Sequence, residues 1–176
     1  DIIQVVVLVL GGFVTTYLAL DTVSGGDGFF GGLVKIYDSV PERFDMILEK
    51  SNPEYMNLPG IGVLIGGMWI ANLYYWGFNQ YIIQRTLAAK SLAESQKGIL
   101  FAAGLKMIIP IIVVIPGIAA YVIVNDPNLL SSLGDAGMAN IPSASQADKA
   151  YPWLMQFLPT GLKGLAVAAL AAAIAV

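Results

Sequence analysis

Long apolar blocks constrain most strongly what this chain can fold into. Residues 2–20 and 61–83 contain no charged side chain, residues 99–124 contain one, and Leu165–Val176 is apolar throughout. Each of the first three blocks reaches the roughly 18 residues that indicate a transmembrane helix. Only 12% of the chain is charged, against about 25% in soluble domains. The sequence therefore predicts an all-α membrane protein.

The predicted organisation is four transmembrane helices joined by three segments. The spans are residues 2–20, 61–83, 99–124 and 161–176, and the connecting segments are residues 21–60, 84–98 and 125–160. Asp1 lies directly against the first span, and the last span is still apolar at Val176. Both ends are as expected of an internal piece of a larger polytopic protein.

The charges of the connecting segments predict the orientation of the spans. Short cytoplasmic loops are enriched in Lys and Arg, and residues 84–98 hold three basic side chains against one acidic one. Acidic side chains predominate in residues 21–60 and 125–160. We therefore expect the segment 84–98 in the cytoplasm and the other two segments outside the cell.

Local signals predict further elements. Ser39 followed by Glu42, with a proline in the first turn, indicates a helix start, and a short helix is expected from about Val40 to Lys50. The glycine-rich stretch before it is either flexible or closely packed.

Prolines and aromatics give two more expectations. Residues 151–158 are predicted to form an interfacial helix with Trp153 at headgroup depth. Pro110 and Pro116 predict a kink in the third span, because each proline removes a helical hydrogen bond.

The residue types that the chain lacks exclude several kinds of functional site. The chain has no cysteine and no histidine, which excludes disulfides, the usual zinc ligation and a Ser-His-Asp arrangement within it. Basic clusters with interleaved aromatics are missing too, so nucleic acid is not an expected partner.

The second span carries unusual polarity for a membrane helix. At 100° per residue, Trp69, Asn72, Trp76 and Asn79 fall on one stripe. A side-chain amide facing lipid loses its hydrogen bonds at a cost of about a few kcal/mol, so the stripe is expected to face protein or a water-filled cavity. Glycines interrupt this span, which is typical of broken helices at transporter binding sites.

Two interpretations of these polar residues stay open. Amides in a span also join helices by hydrogen bonds, and aromatics form interfacial belts. This packing interpretation is favoured for the amides near the cytoplasmic end, Asn79, Gln80 and Gln84. Ligand binding is favoured closer to mid-span, for Asn72, Tyr75 and Trp76, because amides and flat rings suit a neutral polyhydroxylated ligand.

Lys106 is the one charged residue inside the first three spans, about seven residues from Ile99, or roughly 10 Å along a helix. It either extends its ammonium toward the cytoplasmic face or donates a hydrogen bond to a substrate. No Asp or Glu occurs within the spans, which favours sodium coupling over proton coupling.

Two long stretches carry a family resemblance. "NQYIIQRTLAAKSLAESQKGILFAAGLKMIIPIIVVIPG", residues 79–117, and "AYPWLMQFLPTGLKGL", residues 150–165, resemble the sodium/solute symporter family, and within it the sodium–glucose branch. The resemblance implies an inverted-repeat (LeuT-like) transporter helical bundle, multi-pass in the cell inner membrane. This chain would cover the last helix of the first repeat and three helices of the second, with the second span as the broken helix.

The same resemblance implies roles for individual residues. Asn72 and Lys106 would hydrogen-bond sugar hydroxyls, and Tyr75 would stack under the sugar ring as the inner gate, flanked by Tyr74 and Trp76. The carbonyl of Ala173 would bind sodium, although "AAAIAV" shows no serine pair that would complete the family's site. Other contacts would come from the remaining helices of the same transporter.

The expected function is sodium-coupled symport of a monosaccharide, galactose or glucose, by alternating access across the lipid bilayer. Such a protein is not an enzyme, because no bond is made or broken. One alternative is a sodium symporter of another organic solute, such as proline or an anion. The other is a non-transporting membrane subunit or channel that uses the same amides for packing.

Overall fold

The computed structural model describes residues 2–58 and 60–174, and its regular elements there are helices without any β-strand. This confirms the predicted all-α class. The α-helices are α1 (Ile2–Ser24), α2 (Gly28–Ser39), α3 (Met68–Leu73), α4 (Gln80–Leu87), α5 (Leu92–Asn125), α6 (Pro127–Ser132), α7 (Gly134–Met138), α8 (Ala150–Met155) and α9 (Thr160–Ile174). Shorter 3₁₀ turns lie at Pro41–Phe44, Pro53–Asn57 and Ala144–Lys149, and π-helical turns lie at Val63–Gly67 and Tyr74–Phe78.

Two of the described helices, Ile3–Ser24 and Leu92–Asn125, are long and apolar enough to cross a membrane. The second of them begins seven residues before the predicted span 99–124 and therefore takes in part of the predicted loop. This helix continues through Pro110 and Pro116. The bend that these prolines predict, and the orientation of the spans, stay predictions.

The chain forms two compact units, Asp1–Pro41 with Ile108–Val176, and Glu42–Met107. In the first unit, α1 packs against α2, α8 and α9. Buried apolar side chains from α1, α2, α8, the turn after α8 and the second half of α5 contribute to its core: Leu20, Val23, Ile36, Ile123, Trp153, Leu154, Met155 and Leu158.

The turn between α1 and α2 explains the glycine-rich stretch. Gly25 and Gly26 have φ angles of 80° and 106°, which side chains other than glycine rarely adopt. Both of their N–H groups donate to the carbonyl of Asp21, at 3.0 Å each. The turn lets α2 fold back so closely that a Cβ on Gly32 would meet the carbonyl carbon of Leu20 at 2.6 Å. The stretch is thus closely packed at Gly32, whereas a Cβ on Gly25, Gly26 or Gly28 would meet no described atom within 4 Å.

The prediction of a short helix from about Val40 to Lys50 is wrong. Only a 3₁₀ turn, Pro41–Phe44, forms there. The reason is that Ser39 belongs to the end of α2, where its hydroxyl donates to the carbonyl of Lys35 at 2.7 Å. Ser39 is the last residue of α2, whereas an N-cap residue has a non-helical backbone and lies outside the helix before it.

A buried hydroxyl joins α1 to the second half of α5. Thr16 is 0% exposed, and its hydroxyl donates to the carbonyl of Gly12 at 2.8 Å and lies 3.2 Å from the carbonyl of Ile111. Hydroxyls that hydrogen-bond across helices are typical of contacts inside membranes. This residue thus links α1 to the backbone of α5 at Ile111.

The predicted interfacial helix at residues 151–158 corresponds to α8 and the turn after it. Its Trp153 is 4% exposed and packs edge-on against Phe157, with ring centroids 5.2 Å apart. The ring thus belongs to the core of the first unit, and its depth in the bilayer stays a prediction.

Candidate functional site

The second predicted span is a broken helix. Asn79 ends the π-helical turn Tyr74–Phe78 with φ and ψ of −70° and 114°, outside the helical region. Its N–H still reaches back five residues to the carbonyl of Tyr74, at 2.9 Å, while its side-chain oxygen accepts from the N–H of Tyr81 at 3.0 Å and caps α4. One asparagine therefore closes the first piece and begins the second.

Replacing Asn79 with alanine is expected to lower the free energy of unfolding by about 1 kcal/mol, because α4 loses its N-cap acceptor. The measurement is thermal unfolding of the detergent-solubilised protein. Asn79→Ser is the matched control, since serine supplies an oxygen of equal capping strength. Equal stability of the alanine and serine variants would contradict the capping role.

The predicted stripe of Trp69, Asn72, Trp76 and Asn79 does not stay together. The prediction assumes a rotation of 100° per residue. The turn Tyr74–Phe78, however, is π-helical and holds more residues per turn than an α-helix. Trp76 and Asn79 line the cavity described below, whereas Trp69 and Asn72 are not among its lining residues. The rotation per residue changes at this turn, so spacing alone does not place the two halves on one face.

An ammonium between two aromatic rings is the most distinctive feature of the second unit. The Nζ atom of Lys106 lies 4.2 Å from the ring centroid of Tyr75 and 4.7 Å from that of Trp76. The two rings meet nearly at right angles, at 84°, with centroids 5.4 Å apart. We call this group the Lys106 cage. Each ring face attracts the cation through its quadrupole.

A cavity of about 470 Å³ opens beside the Lys106 cage, within the second unit. Its walls come from the π-helical turn, α4 and the first part of α5. The lining residues are Tyr75, Trp76, Asn79, Tyr81, Ile82, Arg85, Thr86, Ala89, Glu94, Ser95, Gly98, Ile99, Ala102 and Lys106. The structure thus brings Tyr75, Trp76 and Lys106 together at one opening.

Asn72 and Tyr74 lie outside this group. The side-chain nitrogen of Asn72 donates to the carbonyl of Met68, in its own helix, at 2.9 Å. Tyr74 is exposed and is not among the lining residues of the cavity. The role of Asn72 as a substrate ligand and that of Tyr74 beside the gate stay predictions.

The sequence pattern missed a second cation beside a ring in the same cavity. The guanidinium of Arg85 lies 4.2 Å from the ring centroid of Tyr81 and donates to the hydroxyl of that tyrosine. Their spacing of four residues along α4 is a signal that could have found this pair, because such residues are neighbours on a helix.

Ala173 lies in α9, one residue before its end at Ile174. Its side chain is outside the part of the chain that the structure describes. The sodium ligation by its carbonyl therefore stays a prediction.

Similarity to known proteins identifies the family of the chain. The sodium:solute symporter family matches residues 1–176. The chain is 68% identical, over 99% of its length, to a sodium/glucose cotransporter of Vibrio parahaemolyticus. It is 35% identical over 93% of its length to an uncharacterized symporter of Escherichia coli (strain K12), and 39% identical over 70% to the human sodium/myo-inositol cotransporter 2.

These relatives are longer proteins. The chain spans 32% of the length of the Vibrio protein, 25% of the Escherichia coli protein and 18% of the human protein. The family match nevertheless covers every residue of the chain. The chain therefore belongs to the sodium:solute symporter family, whose members are membrane transporters and not enzymes.

Proposed function

We propose that this chain supplies part of the substrate site and the inner gate of a sodium-coupled monosaccharide symporter that works by alternating access. The observation that carries the proposal is the convergence of Tyr75, Trp76 and Lys106 on one cavity beside a broken helix. Broken helices form the substrate sites of many secondary transporters. The similarity to a sodium/glucose cotransporter supports galactose or glucose as substrate.

The chemistry of the cavity suits a neutral sugar. The apolar C–H face of a sugar ring would rest on the ring of Tyr75, and a hydroxyl would accept a hydrogen bond from the ammonium of Lys106. Asn72 uses one N–H on the carbonyl of Met68, which leaves its second N–H and its oxygen for further hydroxyls. In this arrangement Tyr75, flanked by Tyr74 and Trp76, blocks the inner exit.

Sodium is proposed as the coupling ion because the family is sodium-coupled and the predicted spans contain no carboxylate for a proton relay. The carbonyl of Ala173 is the ligand proposed from this chain. The remaining ligands, and the other sugar contacts, are proposed to come from other helices of the same transporter. The protein is proposed to be multi-pass in the inner membrane, with its exposed apolar faces against lipid and those helices.

The direct test is uptake of radiolabelled galactose by the intact transporter in liposomes. The expected result is uptake that depends on an inward sodium gradient and stops when potassium replaces sodium. An excess of unlabelled glucose should compete, while proline should not. Uptake that is independent of sodium, or that proline abolishes and sugars do not, would overturn the proposal.

A polyol is the second candidate substrate, because several relatives are sodium/myo-inositol cotransporters. It would use the same cavity, since myo-inositol also presents hydroxyls around an apolar ring face. Competition by unlabelled myo-inositol stronger than that by galactose would favour this candidate.

Replacing Asn72 with alanine is expected to weaken sugar binding by up to roughly tenfold, the value of a neutral hydrogen bond. The amount of folded protein should stay normal, because the side chain is exposed. The measurement is the galactose concentration at half-maximal uptake, with Gln80→Ala as the control for losing an amide nearby. Loss of folded protein with unchanged affinity would instead support the packing interpretation.

A further inference from the structure

The guanidinium of Arg85 is a second cation in the cavity, and the proposed sugar site does not use it. Arg85 belongs to the last turn of α4, whereas Lys106 belongs to α5. Both side chains line the same cavity of about 470 Å³. The cavity therefore has cationic groups on two helices, and only one of these groups has a task in binding a neutral sugar.

The charge of the cavity lining favours an anion. Among the described lining residues, Glu94 is the one carboxylate, and it forms an ion pair with Lys97 at 3.5 Å. In the described part of the chain, no carboxylate lies within ion-pair distance of Arg85 or Lys106. The lining thus carries two positive charges against one negative charge that a third cation offsets. A cleft with such an excess of one sign attracts ligands of the opposite charge.

Tyr81 restrains the guanidinium of Arg85. The guanidinium carbon lies 4.2 Å from the centroid of the Tyr81 ring, and one of the terminal nitrogens donates to the hydroxyl of that tyrosine. A guanidinium has five N–H donors, so this hydrogen bond leaves the others for a ligand. Paired N–H groups of this kind match two oxygens of one phosphate group, whereas a sugar hydroxyl has a single oxygen.

Building on the proposed function, we propose that the same cavity also binds a phosphorylated monosaccharide, which inhibits transport from the cytoplasmic side. The sugar ring would lie on Tyr75 beside the ammonium of Lys106, and the phosphate would bind the guanidinium of Arg85. The volume agrees with an organic ligand, because small-molecule sites measure about 300–1,000 Å³ and an inorganic ion needs far less. A transported sugar cannot occupy Tyr75 and Lys106 while the phosphorylated sugar is bound.

This ligand class has a natural origin inside a cell. Phosphoryl transfer from a nucleoside triphosphate to a hydroxyl of the imported sugar would produce it. The inhibition would then slow uptake when imported sugar is phosphorylated faster than it is used.

The test uses the intact transporter in phosphatidylcholine liposomes, which contain no lipid of net negative charge. The liposomes are loaded with galactose 1-phosphate, galactose 6-phosphate or inorganic phosphate, and sodium-driven uptake of radiolabelled galactose is measured. At least one of the two sugar phosphates is expected to inhibit uptake at a concentration at which inorganic phosphate does not. Adding the same compounds outside the liposomes shows on which side of the membrane the site opens.

Substitutions assign the phosphate to Arg85. In Arg85→Gln, the concentration of sugar phosphate that halves uptake should rise roughly tenfold, the effect of losing a charged hydrogen bond that is partly screened by water. Arg85→Lys keeps the charge but loses the paired donors, and it should give an intermediate value. Lys90→Gln is the matched control, because this exposed cation of the same segment does not line the cavity.

Three results would overturn the inference. The first is wild-type uptake that neither sugar phosphate inhibits, which decides the matter even if Arg85→Gln does not fold. The second is equal inhibition by inorganic phosphate and the sugar phosphates. The third is a folded Arg85→Gln variant that is inhibited as strongly as the wild type. All three leave the proposed function intact, because that proposal depends on sodium-driven galactose uptake in liposomes without any phosphate compound.

Discussion

Replacing Gly32 with alanine is expected to lower the free energy of unfolding by about 3 kcal/mol, the upper end of the usual cost of overpacking. The new Cβ would lie 2.6 Å from both the carbonyl carbon and the Cβ of Leu20, and closer still to the carbonyl oxygen. Relief requires a shift of the α1 backbone, because these atoms cannot rotate away as the end of a side chain can. The measurement is thermal unfolding in detergent, followed by size-exclusion chromatography.

Gly117→Ala is the control for this prediction. A Cβ on Gly117, within α5, meets no described atom within 4 Å, and alanine favours helix over glycine by up to about 1 kcal/mol. This variant should be as stable as the wild type or more so. Equal melting temperatures for Gly32→Ala and Gly117→Ala would show that α1 and α2 do not approach each other as closely as described.

Replacing Lys106 with alanine is expected to have the largest effect on transport. A hydrogen bond from a charged donor contributes about 1.5–3 kcal/mol, so the galactose concentration at half-maximal uptake should rise by roughly 10- to 150-fold. The variant should still fold, because the side chain is exposed in the second unit. Sodium-driven galactose uptake over a range of sugar concentrations measures the effect.

Two further variants sharpen this second prediction. Lys97→Ala also removes a basic residue from α5, but Lys97 is 75% exposed and paired with Glu94, so uptake should be unchanged. Lys106→Arg keeps the charge but replaces the compact ammonium by a broad, planar guanidinium. The galactose affinity of this variant should lie between those of Lys106→Ala and the wild type. Wild-type affinity in Lys106→Ala would remove this residue from the substrate site.

Helix content and class could be predicted from the sequence because they depend on the length of the apolar runs. The boundaries could not be predicted equally well, since they depend on local contacts. Ser39 matches a helix-start pattern, but it is the last residue of α2, and its hydroxyl donates to the carbonyl of Lys35. The pattern specifies which residue types can cap a helix and does not specify which of two adjacent helices uses the hydroxyl.

The proximity of two candidate site residues agrees with the resemblance, while their roles stay predictions. The resemblance pointed to Tyr75 and Lys106, and the structure brings them within 4.2 Å. That Asn72 does not line the cavity with Trp76 and Asn79 could not be foreseen, because helical periodicity assumes equal rotation at each residue. The π-helical turn Tyr74–Phe78 breaks that assumption, and no simple spacing rule indicates where such a turn begins.

The π-helical turn also has a consequence for changes in chain length. A single wide turn holds one residue more than the α-helical turn that could replace it. Loss of one residue within Tyr74–Phe78 can therefore leave the flanking helices α3 and α4 in place, whereas the same deletion inside α5 would rotate everything that follows. The aromatic pair thus occupies a place in this segment where the loss of one residue can be absorbed locally.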